Sequence, residues 1–498
     1  MNNSQPEFSA SSVADFYTGR TIFVTGGTGF MGKVLLEKLV RSLPCIDTIY
    51  ILLRPKKGLS VEERVKKLVS SLPFTLNNID PSHLEKIKPI RGDITKNDFD
   101  MSEEDKNKLI EEVSIVFHLA AAIRMDLNLK DAIMANTKST MQLYNFCMKI
   151  KKLISVVHLS TAYCNVEISE MEEKVYPLNL DPYKIIDMVE WMDPKSLAAV
   201  EQSLIHPHPN TYTFTKRLAE MIADDMGNKL PIVITRPSIV LPSVFEPAPG
   251  WVDSFYGPIG LMVAAGKGVL RTTLLDPDMS PQIIPVDIAI NGLIISGYRR
   301  ATYPFTKTPV YNVTQGDRYQ VTWGEVFDYY RNLVSEYPFK KMLWYPAGQP
   351  TKNYYLNQIY MLLFQFIPAY IVDFLLILFM QKPFLVMIQN RIYTASNLLQ
   401  YFTIKKWKFS NGKALEMVNQ LSEADKKVFY TDIDVDVKKY MYNTFFGVRK
   451  FCVKEDLSNM GYYKFQFKAL YFLDVVTKIL FLYGFIKFLI FIYQTMNF

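Results

Sequence analysis

Over about the first half of the chain, short runs of continuously apolar residues alternate with segments whose apolar positions recur at helical spacing. TIFVT (Thr21–Thr25) predicts a buried strand and Met31–Arg41 a helix. Thr48–Leu53, SIVFHLA (Ser114–Ala120), ISVVHLS (Ile154–Ser160) and PIVITRP (Pro231–Pro237) predict further strands. Strands that are apolar on both faces and separated by helices belong to a parallel sheet covered on both sides. The expected fold class is therefore α/β, a Rossmann-type doubly wound parallel sheet. From Tyr303 to Tyr355 prolines and aromatics increase and the alternation fades, and beyond Tyr355 the pattern is mainly helical. The resulting division is a polar, disordered arm over 1–17, an α/β domain over 18–350, a helical domain over 351–460 and a hydrophobic tail over 461–498. No repeat of fixed period is visible.

Two late stretches are unusually apolar, Ile359–Met380 and Ala469–Tyr493. The first is long enough to cross a hydrocarbon layer of about 30 Å. Asp373 stands within it, however, and a carboxylate near the middle of a span costs about 2.5–3.5 kcal/mol. A buried helix pair is the competing reading. The tail contains Asp474, Lys478 and Lys487, so embedding Ile479–Tyr493 in lipid requires Lys487 to snorkel. A last helix packed on the core is the alternative. Little sequence follows to cover so many Phe, Leu and Ile side chains, and membrane attachment is the expectation.

Composition narrows the class. Of 498 residues 49% are hydrophobic and 21% charged, which excludes a disordered or collagen-like chain. A formal charge of +7 leaves room for phosphates or anionic lipid and does not argue for a nucleic-acid partner. Four scattered cysteines form no CxxC pair, which fits a reducing compartment. Five histidines without clustering argue against a metal site. The amino terminus has no apolar run and does not read as a secretory signal.

TGGTGFMG (Thr25–Gly32) lies directly after a strand and before a helix, with Gly26, Gly29 and Gly32 in GxxGxxG spacing. Residues without a Cβ let backbone amides approach a pyrophosphate at the positive end of a helix. A dinucleotide is the expected ligand. Where an NAD enzyme carries an acid after the second strand, this chain reads YILLRPKKG, with Arg54, Lys56 and Lys57. A guanidinium there pairs with a 2′-phosphate, so NADPH is the expected cofactor.

Tyr212 and Lys216 form YxxxK, four residues apart on one helical face. The spacing occurs five times in the chain, and context selects this pair: it follows a strand ending in Ser160-Thr161 within the alternating region. A phenol aimed at a carbonyl oxygen donates a proton as hydride reaches the carbon. A nearby ammonium is expected to lower the phenol's pKa from about 10, and Thr161, or failing that Ser160, to hold the carbonyl. Cys164 lies close by, but a cysteine on a strand with no partnered base reads as a small buried hydrophobe rather than a thioester nucleophile.

TGGTGFMG, STAY and YTFTK together resemble the extended short-chain dehydrogenase/reductase superfamily. LLRPKKG, RGDIT (Arg91–Thr95), VFHLAAAIR (Val116–Arg124), ITRPSIV (Ile234–Val240) and IIPVDIAIN (Ile283–Asn291) resemble the fatty acyl-CoA reductases. IPAYIVD (Ile367–Asp373) and FFGVRKFCVKED (Phe445–Asp456) resemble that family's carboxy-terminal domain. The resemblance implies NADPH-dependent reduction of a long-chain fatty acyl-CoA to a primary alcohol through an aldehyde. It implies cofactor contacts from Thr25, Gly26, Thr28, Gly29, Phe30, Gly32, Arg54, Asp93, Ile94, Ala120, Ala121, Tyr212, Lys216 and Arg236. It implies catalysis by Tyr212, Lys216 and Thr161, with Ser160 and Asn136 in support, and an intracellular membrane, peroxisomal or of the endoplasmic reticulum, with the catalytic domain facing the cytosol. Ile359–Met380 would then line an acyl tunnel or lie in lipid. The chain departs from the family at Val437, where a tryptophan is expected, which touches substrate preference. No SKL closes the sequence, so a peroxisomal address would come from elsewhere. Rival readings are a membrane-bound reductase of a sterol or free aldehyde, and a non-catalytic lipid-binding scaffold.

Overall fold

Seven parallel strands form the main sheet of the computed structural model, which describes residues 12–56, 58–316, 321–431 and 434–496. In chain order they are β1 (Thr21–Thr25), β2 (Thr48–Leu53), β3 (Ile87–Arg91), β4 (Ile115–His118), β5 (Ser155–Leu159), β6 (Ile232–Pro237) and β7 (Val310–Val313). In space they run β7-β6-β5-β4-β1-β2-β3, so the order reverses between β1 and β4. Such a reversal leaves a crevice beyond the carboxyl ends of the two strands, where ligands of doubly wound sheets bind. Every residue of β1, β2, β4 and β6 is buried, as runs apolar on both faces require.

The chain divides into two compact units, each built from three stretches. The first comprises Met1–Val252, Gln282–Tyr319 and Trp407–Asp436. It holds the sheet and helices α1 (Val13–Tyr17), α2 (Phe30–Ser42), α3 (Ser139–Cys147), α4 (Thr211–Met226) and α5 (Val286–Thr302). Of the arm expected over 1–17, residues 1–11 lie outside the described residues. The remainder is ordered: Ser12 caps α1, Val13 and Tyr17 are fully buried, and the Tyr17 hydroxyl donates to the Ile294 carbonyl at 2.8 Å.

The boundary expected near residue 350 falls inside the second unit, because the chain later returns to the first. Lys408–Phe409 pair with Glu170–Met171, and Asn312 Nδ2 on β7 donates to the Ser410 carbonyl at 2.7 Å. Local hydrophobic patterning carries no record of such a return.

The second unit comprises Asp253–Pro281, Gln320–Lys406 and Val437–Phe498. It contains α6 (Tyr354–Met361), a π-helical turn over Leu362–Phe366, α7 (Ile367–Leu378), α8 (Leu385–Thr403) and α9 (Met460–Met496). Tyr330, Phe339 and Phe445 centre an aromatic core. Beside it the buried Arg449 donates to Glu455 Oε2 at 3.0 Å and to the Tyr337 and Pro338 carbonyls at 2.8 and 3.0 Å. Ile359–Met380 is not the buried helix pair that was one expectation: Ile359, Ile367, Phe374, Ile377 and Leu378 are exposed. Asp373, which argued against lipid, is buried and accepts backbone N–H bonds from Phe384, Leu385 and Val386. Among the described residues two helical stretches are long and apolar enough to cross a membrane, Tyr354–Leu378 and Met460–Thr495.

Candidate active site

The glycine turn sits at the carboxyl end of β1, in the crevice. Gly26 has φ +78°, a left-handed conformation that an L side chain adopts only under strain, and a Cβ there would come 2.6 Å from the Ala120 nitrogen. A Cβ on Gly32 would overlap the Gly26 carbonyl. Gly29 is the N-cap of α2 and offers no side-chain acceptor to the first turn, which leaves backbone N–H groups at the positive end of the helix. A steric cradle with an uncapped helix start fits a pyrophosphate. Thr25 Oγ1 lies 2.8 Å from His118 Nδ1 and accepts from the Ala120 N–H at 3.3 Å, locking the end of β1 to that of β4. Thr28 and Phe30 line the turn half-buried, and the Phe30 ring stacks on Trp251 with centroids 5.5 Å apart.

Arg54 follows β2 and is largely exposed; its guanidinium reaches Asp93 Oδ2 at 3.3 Å. Asp93 follows β3 and also accepts from the Thr95 N–H and hydroxyl at 3.0 and 2.8 Å. Ile94 packs against the core. Lys56 is exposed, and Lys57 lies outside the described residues. The basic end of β2 is thus solvent-accessible and held by a single carboxylate, an arrangement open to an anionic group.

Tyr212 and Lys216 occupy the first turns of α4. Asn210 caps this helix by accepting from the Thr213 N–H at 3.0 Å, and Thr211 Oγ1 donates to the Leu127 carbonyl. Lys216 Nζ donates to the Leu159 carbonyl at 2.6 Å, at the last residue of β5 and two before Thr161. This bond brings the Tyr212–Lys216 face to the carboxyl edge of the sheet, the edge that also holds the glycine turn. Thr161 is buried and its Oγ1 accepts from the Tyr163 N–H at 3.3 Å, leaving its own proton free to donate. Ser160 is buried against Glu220 and Cys164.

Electrostatics depart from expectation at the tyrosine. Burial, with Cys164 adding to it, pushes the Tyr212 phenol well above its ordinary range. The lowering expected from Lys216 is not present in this arrangement, because the ammonium is turned to the Leu159 carbonyl. Burial instead lowers Lys216 to about 8, against a partial opposing pull from Glu220. Behind it stands a layer of neutral histidines. His158 Nε2 lies 3.5 Å from Lys216 Nζ, and His158 Nδ1 lies 2.9 Å from the Tyr144 hydroxyl. His118 pairs with His158 in register across β4 and β5, and its Nε2 meets Thr140 Oγ1 at 3.0 Å. Burial lowers His118 to about 3 and His158 well below its usual value.

Two expected roles change with the geometry, and a third residue keeps its expected role on different grounds. Asn136, taken as a member of the catalytic group, is buried on the π-helical turn Ile133–Lys138. Its Oδ1 accepts from the Ala122 N–H at 2.7 Å, and its Nδ2 donates to the Ala122 carbonyl and to Thr215 Oγ1. It positions the Ala120–Ala122 loop against α4. Arg236, taken as a cofactor contact, is wholly buried; it donates to both Glu220 oxygens at 2.8 and 2.5 Å and to the Glu172 and Lys174 carbonyls. Cys164 is in a turn after β5, not on a strand, and does have a carboxylate partner: its thiol donates to Glu220 Oε1 at 3.3 Å. Burial and that carboxylate push the thiol far up, so it is no ready nucleophile.

His158, His118 and Glu220 are the residues that sequence reasoning passed over. The signal was present in VFHLA and VVHLS, where two buried strands place a histidine at the carboxyl end, His118 as the last residue of β4 and His158 one before the last of β5.

Two family models, both described as "Male sterility protein", match residues 24–293 and 364–455. The chain is 38% identical over 451 residues to "Fatty acyl-CoA reductase 1" of Xenopus laevis, covering 90% of this chain and 88% of that protein. It is 35% identical over 491 residues to a putative fatty acyl-CoA reductase of Drosophila melanogaster, covering 97% and 95%. It is 36% identical to "Fatty acyl-CoA reductase 2" of Homo sapiens, covering 92% and 90%. Among solved structures, the terminal R domain from the myxalamid PKS-NRPS biosynthetic pathway superposes with a TM-score of 0.57 at 18% identity, covering 87% and 91%. That likeness concerns the fold.

Proposed function

This chain belongs to the fatty acyl-CoA reductase family, and from that premise we propose that it reduces a long-chain fatty acyl-CoA to the primary alcohol with two NADPH. The first reduction gives a thiohemiacetal, which collapses to aldehyde and free CoA thiol; the second gives the alcohol. The observation that supports this reading is the bond from Lys216 to the Leu159 carbonyl at 2.6 Å, which fastens the Tyr212 helix to the carboxyl end of β5, two residues before Thr161.

Bound nicotinamide supplies the hydride in both rounds. Thr25, Gly26, Gly29 and Gly32 would hold the pyrophosphate, Arg54 would pair with the 2′-phosphate, and Lys216 would donate its remaining N–H to the ribose. Thr161 donates a hydrogen bond to the substrate carbonyl, and Tyr212 donates its proton to the oxygen as negative charge develops there. A raised phenol pKa suits this direction of reaction. The proton donor must be protonated at neutral pH, and an alkoxide is a far stronger base than any tyrosinate.

The apolar α9 anchors the chain in an intracellular membrane, peroxisomal or of the endoplasmic reticulum, with the catalytic unit toward the cytosol. A long acyl chain favours such a place, since each buried CH2 contributes about 0.8 kcal/mol.

The test is turnover of palmitoyl-CoA by the full chain in detergent, followed by thiol release and alcohol formation. Tyr212→Phe is expected to lose most turnover with cofactor binding retained, and Cys164→Ala to stay active. Thiol release without any alcohol would overturn the second reduction, and an inactive Cys164→Ala of normal stability would overturn the order of steps.

A further inference from the structure

The helical hairpin formed by α6, α7 and α8 changes character along its length. Its inner end is polar and tied down. Asn357 Oδ1 accepts from Thr272 Oγ1 at 2.9 Å, and Gln365 Oε1 accepts from the Arg271 and Thr272 N–H groups at 2.6 and 3.3 Å. Gln389 Nε2 donates to the Val269 carbonyl at 3.0 Å. The Phe366 and Tyr393 rings meet edge-on at 6.0 Å, so α8 runs back along the helix before it.

The outer end has the opposite chemistry. Tyr370, Ile371, Phe374, Ile377 and Leu378 are 55–61% exposed, Phe379 75% and Met380 95%. From Tyr354 to Met380 the one acidic or basic residue is Asp373. Its carboxylate faces the start of α8, accepting from the N–H groups of Phe384, Leu385 and Val386 at 3.0, 2.9 and 2.9 Å. The carboxylate therefore closes the hairpin, and the charged group left at the tip is Lys382, which is exposed.

We propose that this tip, centred on Phe374, Leu378, Phe379 and Met380, enters one leaflet of a bilayer as an interfacial anchor, with Lys382 at the level of anionic lipid phosphates. The proposal rests on the membrane reading of the chain and adds a second point of attachment to it. Length decides between dipping and crossing. Tyr354–Leu378 as a whole is long enough to cross, but Asn357 and Gln365 are buried and bonded within the unit and are not free to enter lipid. The free part, Tyr370–Met380, is about 16 Å long at 1.5 Å per residue, too short to cross a hydrocarbon layer of about 30 Å and sufficient for a shallow insertion at the interface. Charge favours lipid over a second copy of the chain. Symmetric pairing of two tips would bring Lys382 near its own counterpart with no exposed carboxylate at the tip to receive either, whereas anionic phosphates would pair with it. Covering so many exposed aromatic and aliphatic groups supplies the driving force.

The test uses the full chain in liposomes of phosphatidylcholine and phosphatidylserine. Met380→Cys, in a Cys45→Ser, Cys452→Ala background, carries an environment-sensitive fluorophore. Phe485→Cys on α9 is the companion probe. The expected result is a blue-shifted Met380 probe, quenched about twofold more by lipids spin-labelled near the headgroup than by lipids labelled at the chain end. A water-like Met380 probe beside a lipid-embedded Phe485 probe would overturn the hairpin anchor alone. Both probes in water would overturn the membrane reading as well. A Met380 probe quenched by a headgroup label confined to the leaflet opposite the catalytic unit would mean a span and would also overturn the proposal, as would a probe shielded only by a second chain in cross-linked dimers.

Discussion

Lys216 Nζ stands 3.5 Å from His158 Nε2, on the side away from solvent, while the Leu159 carbonyl takes a shorter bond from the same nitrogen at 2.6 Å. An ammonium has only donors, so His158 must present a bare Nε2 and carry its proton on Nδ1, toward the Tyr144 hydroxyl. The imidazole is a neutral acceptor for a buried cation, and no carboxylate shares that bond. Burial lowers Lys216 to about 8, so activity that needs the ammonium is expected to fall as pH rises through about 8. His158→Leu removes the acceptor, destabilises the charged form, and moves this alkaline limb to lower pH. His158→Gln keeps an acceptor oxygen and leaves the limb close to its original position. A pH profile of kcat for the two variants checks this, and identical profiles would confine His158 to packing.

Arg54 offers a separate test of the cofactor. Its guanidinium meets Asp93 at 3.3 Å and is otherwise largely exposed. A charge-assisted pair with a 2′-phosphate is worth about 1.5–3 kcal/mol, or roughly 10–100-fold. Arg54→Ala is expected to lower kcat/KM for NADPH by about that factor while leaving the slower reaction with NADH nearly unchanged. Equal losses with both cofactors would assign Arg54 a structural role through Asp93.

Asn136 is expected to act on rate rather than on binding. Its amide joins Ala122 to Thr215, and Thr215 in turn donates to the Tyr212 carbonyl at 3.0 Å. Asn136→Ala leaves those groups unpaired in a buried place and frees the loop from α4. A fall in kcat of about tenfold or more with little change in acyl-CoA KM is expected, since small misplacements of reacting groups are costly. Asn136→Asp keeps the acceptor for Ala122 and loses both donated bonds, so it should fall between the alanine variant and the natural protein.

What was legible in the sequence was what is local. β1, β2, β4, β5 and β6 were marked by apolar runs; β3 and β7 were not, and these are the two edges of the sheet. β3 reads IKPIR, with Lys88 and Arg91 on an edge that tolerates Pro89 and charge. β7 hides in the proline-rich stretch, and the returning chain helps to cover it. The glycine turn and the Tyr212–Lys216 spacing are likewise local. The His158–Lys216 contact joins residues 58 apart and depends on how α4 lies on β5. The cofactor contact that the resemblance implied for Arg236 is likewise beyond local reading: Glu220, 16 residues earlier on α4, takes its guanidinium with both oxygens.

That buried pair makes the last prediction. Arg236 and Glu220 are 0% and 1% exposed, bonded through two oxygens, and Cys164 adds a weak thiol bond to the same carboxylate. Burial alone would raise the Glu220 carboxyl, but the Arg236 charge and its hydrogen bonds bring it below its ordinary value, so it remains ionised. Removing one charge from such a pair strands the other and costs about 3–5 kcal/mol. Glu220→Gln is therefore expected to lower the thermal midpoint sharply, whereas Cys164→Ala, which loses one weak bond and a small volume, should cost about 1–2 kcal/mol. Glu220 also lies one helical turn after Lys216 and raises its pKa against burial, so the same substitution is expected to move the alkaline limb down as well; a limb moved down with stability unchanged would leave Glu220 as a counter-charge alone. Thermal unfolding and the pH profile of the same Glu220→Gln preparation separate these outcomes. A large loss of midpoint with the limb moved to lower pH is the expected result, because Glu220 both holds Arg236 and opposes the lowering of Lys216 by burial.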